Sequence, residues 1–138
     1  MAEHTRPLPD VTDQNRPFWE GLREGRLRLQ RCDSCGHIRY PISFVCPQCL
    51  HDGHEWRDMS GRGSVYSYVV FHQIYHRAYA EDVPYNVALV QLDEGPRMFS
   101  NVVGVSNDQV AVGARVKVVF EPVTDEITLP RFEKADND

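Results

Sequence analysis

The chain has 138 residues, 41% of them hydrophobic and 25% charged, with a formal net charge of −5. This is the composition of one folded domain, or one domain with a small appendage, with enough apolar material for a core. No run approaches the ~18 apolar residues of a membrane helix, and there is no internal repeat or low-complexity tract.

Residues 1–14 read as a flexible tail. They contain no apolar h-region, so the sequence predicts no secretory signal and a cytoplasmic location. Residues 15–24, "NRPFWEGLRE", predict a short helix: Asn15 suits its cap, Pro17 its first turn and Gly25 its end. Phe18 and Leu22 share one face, with Trp19 beside them. A helix this short does not stand alone in water, so its rings must pack on the chain's own core or on a partner. "RLRLQRC" then alternates Leu27 and Leu29 against arginines, as a strand would.

All four cysteines follow in one stretch, "CDSCGHIRYPISFVCPQC". Cys32 and Cys35 form one C-x-x-C pair; Cys46 and Cys49 form another. In a reducing compartment such a cluster reads as metal ligands rather than disulfides. Gly36 permits the positive φ that tightens the first turn, and Pro47 fixes φ inside the second. The ten residues between the pairs predict two short strands around Tyr40-Pro41. Together these features make a zinc-ribbon pattern. Four thiolates close the coordination sphere, so the ion is structural rather than catalytic. Iron is the alternative, because four cysteines suit both metals. A thioredoxin-type site needs only one pair in a βαβ setting, which is absent. His51 and His54 find the coordination sphere already filled. His72 and His76 have the spacing of a helical metal pair but sit at the end of a strand-like run. Arg23, Arg26, Arg28, Arg31 and Arg39 make this region basic against Glu24 and Asp33, as a solvated face or as a site for a phosphate-bearing ligand or acidic partner.

From Gly61 a series of strands begins: "SVYSYVVFH", "NVALVQL", "RMFSNVVGV", "RVKVVFEPV" and "EITLPRF". The turn Asp93–Pro96 joins the second to the third, and "SNDQVAVGA" reads as a loop or a single helical turn. Five short antiparallel strands with one such interruption suit a small closed barrel of the OB type; an SH3-like barrel is the alternative. Between the first two strands lies the long segment "FHQIYHRAYAEDVPYN". Its Tyr75, Tyr79 and Tyr85 suit a partner interface or a cover over the barrel end. His72, His76, Glu81 and Asp82 are acid–base types without an accompanying nucleophile, and there is no P-loop or GxGxxG. No catalytic set is assigned. The predicted division is a tail at 1–14, helix and ribbon at 15–60, barrel at 61–132 and a tail at 133–138.

The ordered motifs "FWEGLREGRLRLQRCDSCGHIRYP", "CPQC", "GRGSVYSYVVFH", "PYNVALVQLDEG" and "VGARVKVVFEP" resemble the DUF35 family over about residues 15–123. The resemblance implies a mainly β fold: a short helix and rubredoxin-like zinc ribbon, then a five-stranded OB barrel. It also implies a non-catalytic accessory subunit beside thiolase-like enzymes acting on CoA thioesters, by acyl transfer or by carbon–carbon bond formation or cleavage, including steroid side-chain degradation. Some relatives are fused to a hydratase domain. The metal implied is structural Zn2+ on Cys32, Cys35, Cys46 and Cys49. Acyl-CoA would lie near the interface, its phosphates met by the ribbon arginines, and Phe18, Trp19, Tyr75, Tyr79 and Tyr85 are the candidate partner contacts. Nucleic acid, the competing ligand for a ribbon and OB barrel, is disfavoured by charge: residues 63–138 hold six basic against eleven acidic residues.

Overall fold

The computed structural model describes residues 9–72 and 85–135. Tyr75, Tyr79, His76, Glu81 and Asp82 lie outside the described residues. Helix α1 spans Arg16–Arg23, with Pro17 in its first turn. Asn15 precedes it but makes no side-chain cap. Its amide instead accepts from the Thr12 N–H at 2.7 Å and donates to the Asp10 carbonyl at 3.0 Å, folding the entering chain onto itself. At the other end Gly25 adopts φ +77°. The N–H groups of Arg26 and Gly25 return to the carbonyls of Gly21 and Leu22 at 2.8 and 3.1 Å, closing the helix with a Schellman turn. No helix among the described residues is long and apolar enough to cross a membrane.

Strands β1 (Arg28–Cys32), β2 (Ile38–Arg39) and β3 (His54–Asp58) form an antiparallel sheet in the order β2-β1-β3. The stretch between the cysteine pairs thus supplies one strand rather than the two expected. Beyond Tyr40-Pro41 the chain is held by side chains instead, as shown below.

The barrel comprises β4 (Arg62–Phe71), β5 (Tyr85–Leu92), β6 (Arg97–Ser100), β7 (Val102–Val103), β8 (Arg115–Pro122) and β9 (Thr128–Lys134). The sheet order is β6-β5-β4-β8-β9-β7. Its two ends, β6 and β7, are one stretch of chain interrupted at Asn101. β6 pairs antiparallel with β5, and β7 parallel with β9. Five staves therefore close on themselves in the OB arrangement, and a single 3-10 turn at Asn107–Gln109 bridges the third and fourth. β9 continues through Glu133 and Lys134, two residues expected to belong to a tail.

The interruption at Asn101 is sealed by Asn86, which is 5% exposed. Its amide donates to the Val102 carbonyl at 2.9 Å and to Asn107 Oδ1 at 3.0 Å, and accepts from the Val102 N–H at 2.8 Å. Replacing it strands buried backbone groups. Asn86→Ala is expected to cost about 1–3 kcal/mol, read as a lower midpoint in urea unfolding with an unchanged slope.

Two further details shape the barrel. At Gly63 in β4 the neighbouring backbone leaves no room for a side chain: a Cβ there would lie 2.3 Å from the Gln91 carbonyl oxygen. Two residues on, β4 bulges. Val65 faces Val90 and Ser67 faces Leu89, leaving Tyr66 without a strand partner.

One core serves the whole molecule. Phe18 and Leu22 from α1, Leu27 just before β1 and Leu29 within it pack with Val65, Val90, Leu92, Met98, Val116 and Phe132 of the barrel. Phe18 is 3% exposed, so of the two readings of the helix rings the chain's own core holds for it. Trp19, packed edge-on to Phe18, is only partly buried.

Candidate metal centre

β1 ends at Cys32 and the chain turns back at once. The Gly36 N–H reaches the Cys32 carbonyl at 3.0 Å, and the Cys32 N–H reaches the His37 carbonyl at 2.8 Å. The second pair repeats the pattern. The Leu50 N–H bonds the Cys46 carbonyl at 2.8 Å, and the Cys46 N–H bonds the His51 carbonyl at 2.9 Å. In both turns the residue after the second cysteine has positive φ, +79° at Gly36 and +66° at Leu50. Glycine announces that conformation in the sequence; leucine does not, so the likeness of the two turns emerges only in three dimensions.

The turns bring the four sulfurs together, all within 4.8 Å of one another. Cys32 and Cys49 are 3.5 Å apart at sulfur, and Cys35 and Cys46 are 3.6 Å apart. A disulfide is about 2.05 Å, so these are free thiols in contact. A tetrahedron with metal–sulfur bonds of about 2.3 Å has edges of roughly 3.8 Å. The donor set therefore fits a tetrahedral, thiophilic ion. Cys32 and Cys46 are fully buried, while Cys35 and Cys49 reach the surface.

The electrostatics favour partial ionisation. The Cys35 N–H, helped by that of Ser34 and by the Cys49 and Cys35 thiols, outweighs burial and holds the Cys32 thiol down at about 6. Burial opposes ionisation of Cys46, but the N–H groups of Cys49 and Gln48 and the Cys35 and Cys49 thiols bring it below the usual value. At Cys35 the His37 N–H favours the thiolate, yet burial and the three surrounding thiols push it up to about 12. Four thiolates repel one another, and a bound cation is what releases the remaining protons.

Among the described residues no histidine joins the sulfur cluster. His54 is the strand partner of Cys32 but turns its ring toward Gln30 and Trp56. His72 sits exposed just past β4. The ribbon arginines are largely occupied: Arg26 and Arg28 face Asp58 at 3.8 and 3.4 Å, Arg28 also meets Glu24 at 3.0 Å, and Arg31 meets Glu55 at 3.6 Å. Arg39 is buried. The CoA-phosphate reading of this cluster therefore finds no support in the placement of its side chains.

Two apolar surfaces were not legible beforehand. A groove of about 910 Å³ runs between the chain entering α1 and the ribbon, lined by Pro17, Phe44, Val45 and Trp56 among others. The outer face of β4, β5 and β6 is the second. The strand register places Val69 beside Val87, and Phe99 beside Leu89. Phe99, Val69 and Tyr66 are 71%, 52% and 48% exposed. The Arg97 guanidinium lies 3.8 Å from the centre of the Tyr66 ring, and Tyr85 stacks on Phe71 at the far end.

A closed OB barrel joined through one core to a four-cysteine ribbon defines a zinc-ribbon/OB-fold protein. The family described as "ChsH2, rubredoxin-like zinc ribbon domain" matches residues 19–55, and "ChsH2, C-terminal OB-fold domain" matches residues 56–121. The chain belongs to the DUF35 family, of the ChsH2 kind. It is 37% identical over 130 residues to a probable enoyl-CoA hydratase alpha subunit of Thermomonospora curvata, covering 94% of this chain and 40% of that protein. It is 34% identical to a DUF35 domain-containing scaffold protein of Methanothermobacter thermautotrophicus, covering 72% of this chain and 75% of the relative. Against the benzoylsuccinyl-CoA thiolase subunit BbsA of Thauera aromatica the identity is 29%, over 70% of this chain and 67% of BbsA. The solved structure of an Ltp2-ChsH2(DUF35) aldolase superposes with a TM-score of 0.82 at 35% identity, covering 92% of this chain and 98% of that one.

Proposed function

We propose that this chain is a non-catalytic accessory subunit of a thiolase-like enzyme acting on a CoA thioester, with carbon–carbon bond cleavage of the retro-aldol type as the reaction served. The observation that carries the reading is the apolar outer face of β4–β6. Exposed aromatic and branched side chains in one patch mark a surface that another protein covers. The relatives support the identity of that protein, since they include an aldolase built from Ltp2 and ChsH2 and a thiolase subunit.

The same reading assigns Zn2+ to Cys32, Cys35, Cys46 and Cys49, as a structural ion that holds the ribbon and takes no part in the reaction. Of the contacts expected from sequence, Tyr85 lies on the apolar face, Trp19 retains some exposure, and Phe18 is withdrawn into the core.

The test is co-expression with a thiolase-like protein encoded beside this chain. One peak on size exclusion is expected, with cleavage activity in that peak. Phe99→Glu combined with Val69→Glu should split the peak and lower activity in parallel, with zinc content intact. Separate peaks with full activity in the thiolase-like protein alone would overturn the reading, as would acyl-CoA turnover by the purified chain unaided.

A further inference from the structure

Arg39 is a cation in an unusual place. It is 2% exposed, and a guanidinium stays charged at any ordinary pH. Among the described residues no carboxylate pairs with it. Its Nε donates to Gln30 Oε1 at 3.2 Å and its Nη2 to the Ser43 carbonyl at 3.0 Å, while Nη1 is buried with no partner. A buried charge surrounded only by neutral groups is costly unless an opposite charge lies nearby.

The strand register shows where such a charge lies. Arg39 is paired with Gln30, and Gln30 is two residues before Cys32 on β1. Side chains two apart on a strand share a face, so Arg39, Gln30 and Cys32 all lie on the metal side of the ribbon sheet, in adjacent rows roughly 7 Å apart. The guanidinium also approaches the ring of His54, the strand partner of Cys32, at 3.5 Å. Four thiolates around a divalent ion leave two negative charges in excess. We propose that Arg39 is the buried counter-charge of this tetrathiolate centre, and that its positive charge, more than its hydrogen bonds, sets how firmly the ion is held.

The hydrogen bonds have a separate role, which allows the two to be told apart. The Gln30 amide accepts from the Ser43 N–H at 2.9 Å and donates to the Ser43 carbonyl at 3.0 Å, standing in for the missing second strand. It thereby ties β1 to the segment leading into Cys46. Gln30→Met breaks this tie and leaves the charge. Arg39→Met removes the charge and keeps the stem. Arg39→Lys keeps the charge and loses the fork.

The inference rests on the four-thiolate zinc reading, so metal content of the wild-type chain is measured first; a chain without zinc fails that reading rather than this one. Zinc transfer to a chromophoric chelator is then timed at fixed pH. Arg39→Met should release zinc about tenfold faster, because charges this close in a partly buried site interact strongly. Arg39→Lys should stay within about threefold of wild type. In cobalt-substituted protein, loss of the cation should move the thiolate-to-cobalt charge-transfer bands to lower energy in Arg39→Met but not in Gln30→Met. Wild-type release and unmoved bands in Arg39→Met would overturn the proposal. So would Arg39→Lys or Gln30→Met releasing zinc as fast as Arg39→Met, which would make Arg39 a clamp only. Should Arg39→Met fail to fold, Arg39→Lys and Gln30→Met decide: firm zinc binding in the lysine variant with unmoved bands in both upholds the charge, and loss of zinc from the lysine variant overturns it.

Discussion

Cys46→Ser is expected to abolish metal binding and unfold the ribbon, not to slow a chemical step. Serine is a poor ligand for a thiophilic ion and leaves three sulfurs where the geometry supplies four. Structural zinc sites in small peptides contribute about 10–16 kcal/mol of apparent binding energy, as much as the whole stability of a typical domain. Cys46 is fully buried, so the change reaches the interior. The effect should also cross into the barrel, since Leu27 and Leu29, which flank the ribbon sheet's entry, are part of the common core. The measurements are metal analysis and a thermal melt. Zinc below stoichiometry with a broadened, lowered melting transition is the expected pair; a metal-free variant that melts like wild type would contradict it.

Phe132→Ala should produce the largest loss among substitutions away from the cysteines. Phe132 lies on β9, is fully buried, and is the largest such side chain among the described residues. It pairs with Val118 of β8 on one side and Val102 of β7 on the other, at the seam where the barrel closes. Removing a buried phenylalanine costs about 3–5 kcal/mol, because the cavity does not collapse fully. For a chain of this size that is on the order of a 10–20 °C fall in melting temperature. Denaturant unfolding should agree. A change under about 1 kcal/mol would show that the seam relaxes around the gap, contrary to the density of packing expected there.

Features set by local spacing were legible in the sequence. The cysteine pairs form their turns from neighbouring residues, and β4 to β9 fall on the strand runs of the sequence. Features set by distant partners were not. Nothing near Asn101 announces that the third stave breaks there, because the seal comes from Asn86 on another strand. Arg39 looked like one member of a basic cluster, and Gln30, between Leu29 and Arg31, carried no signal of its own. Their burial follows from facing each other across β1 and β2, a pairing that the spacing of charges does not reveal. Asn15 has the residue type of a helix cap, yet its amide is drawn to Thr12 and Asp10 instead.

The bulge at Tyr66 acts on β4 much as a frameshift acts on a reading frame. Before it, odd-numbered positions point inward: Gly63 and Val65 are buried. After it the phase is reversed, so that Tyr68 and Val70 face Ala88 and Asn86, both of the barrel interior. A strand that kept its first phase would send Val69 and Phe71 into the core and leave Tyr68 and Val70 outside. The bulge therefore decides which pair faces out, Val69 and Phe71 rather than Tyr68 and Val70, and adds the Tyr66 ring beside them. Deleting Tyr66 would remove the bulge while leaving Ser67 and every later residue of β4 on its present side, so the ring is lost from this face and its other side chains stay.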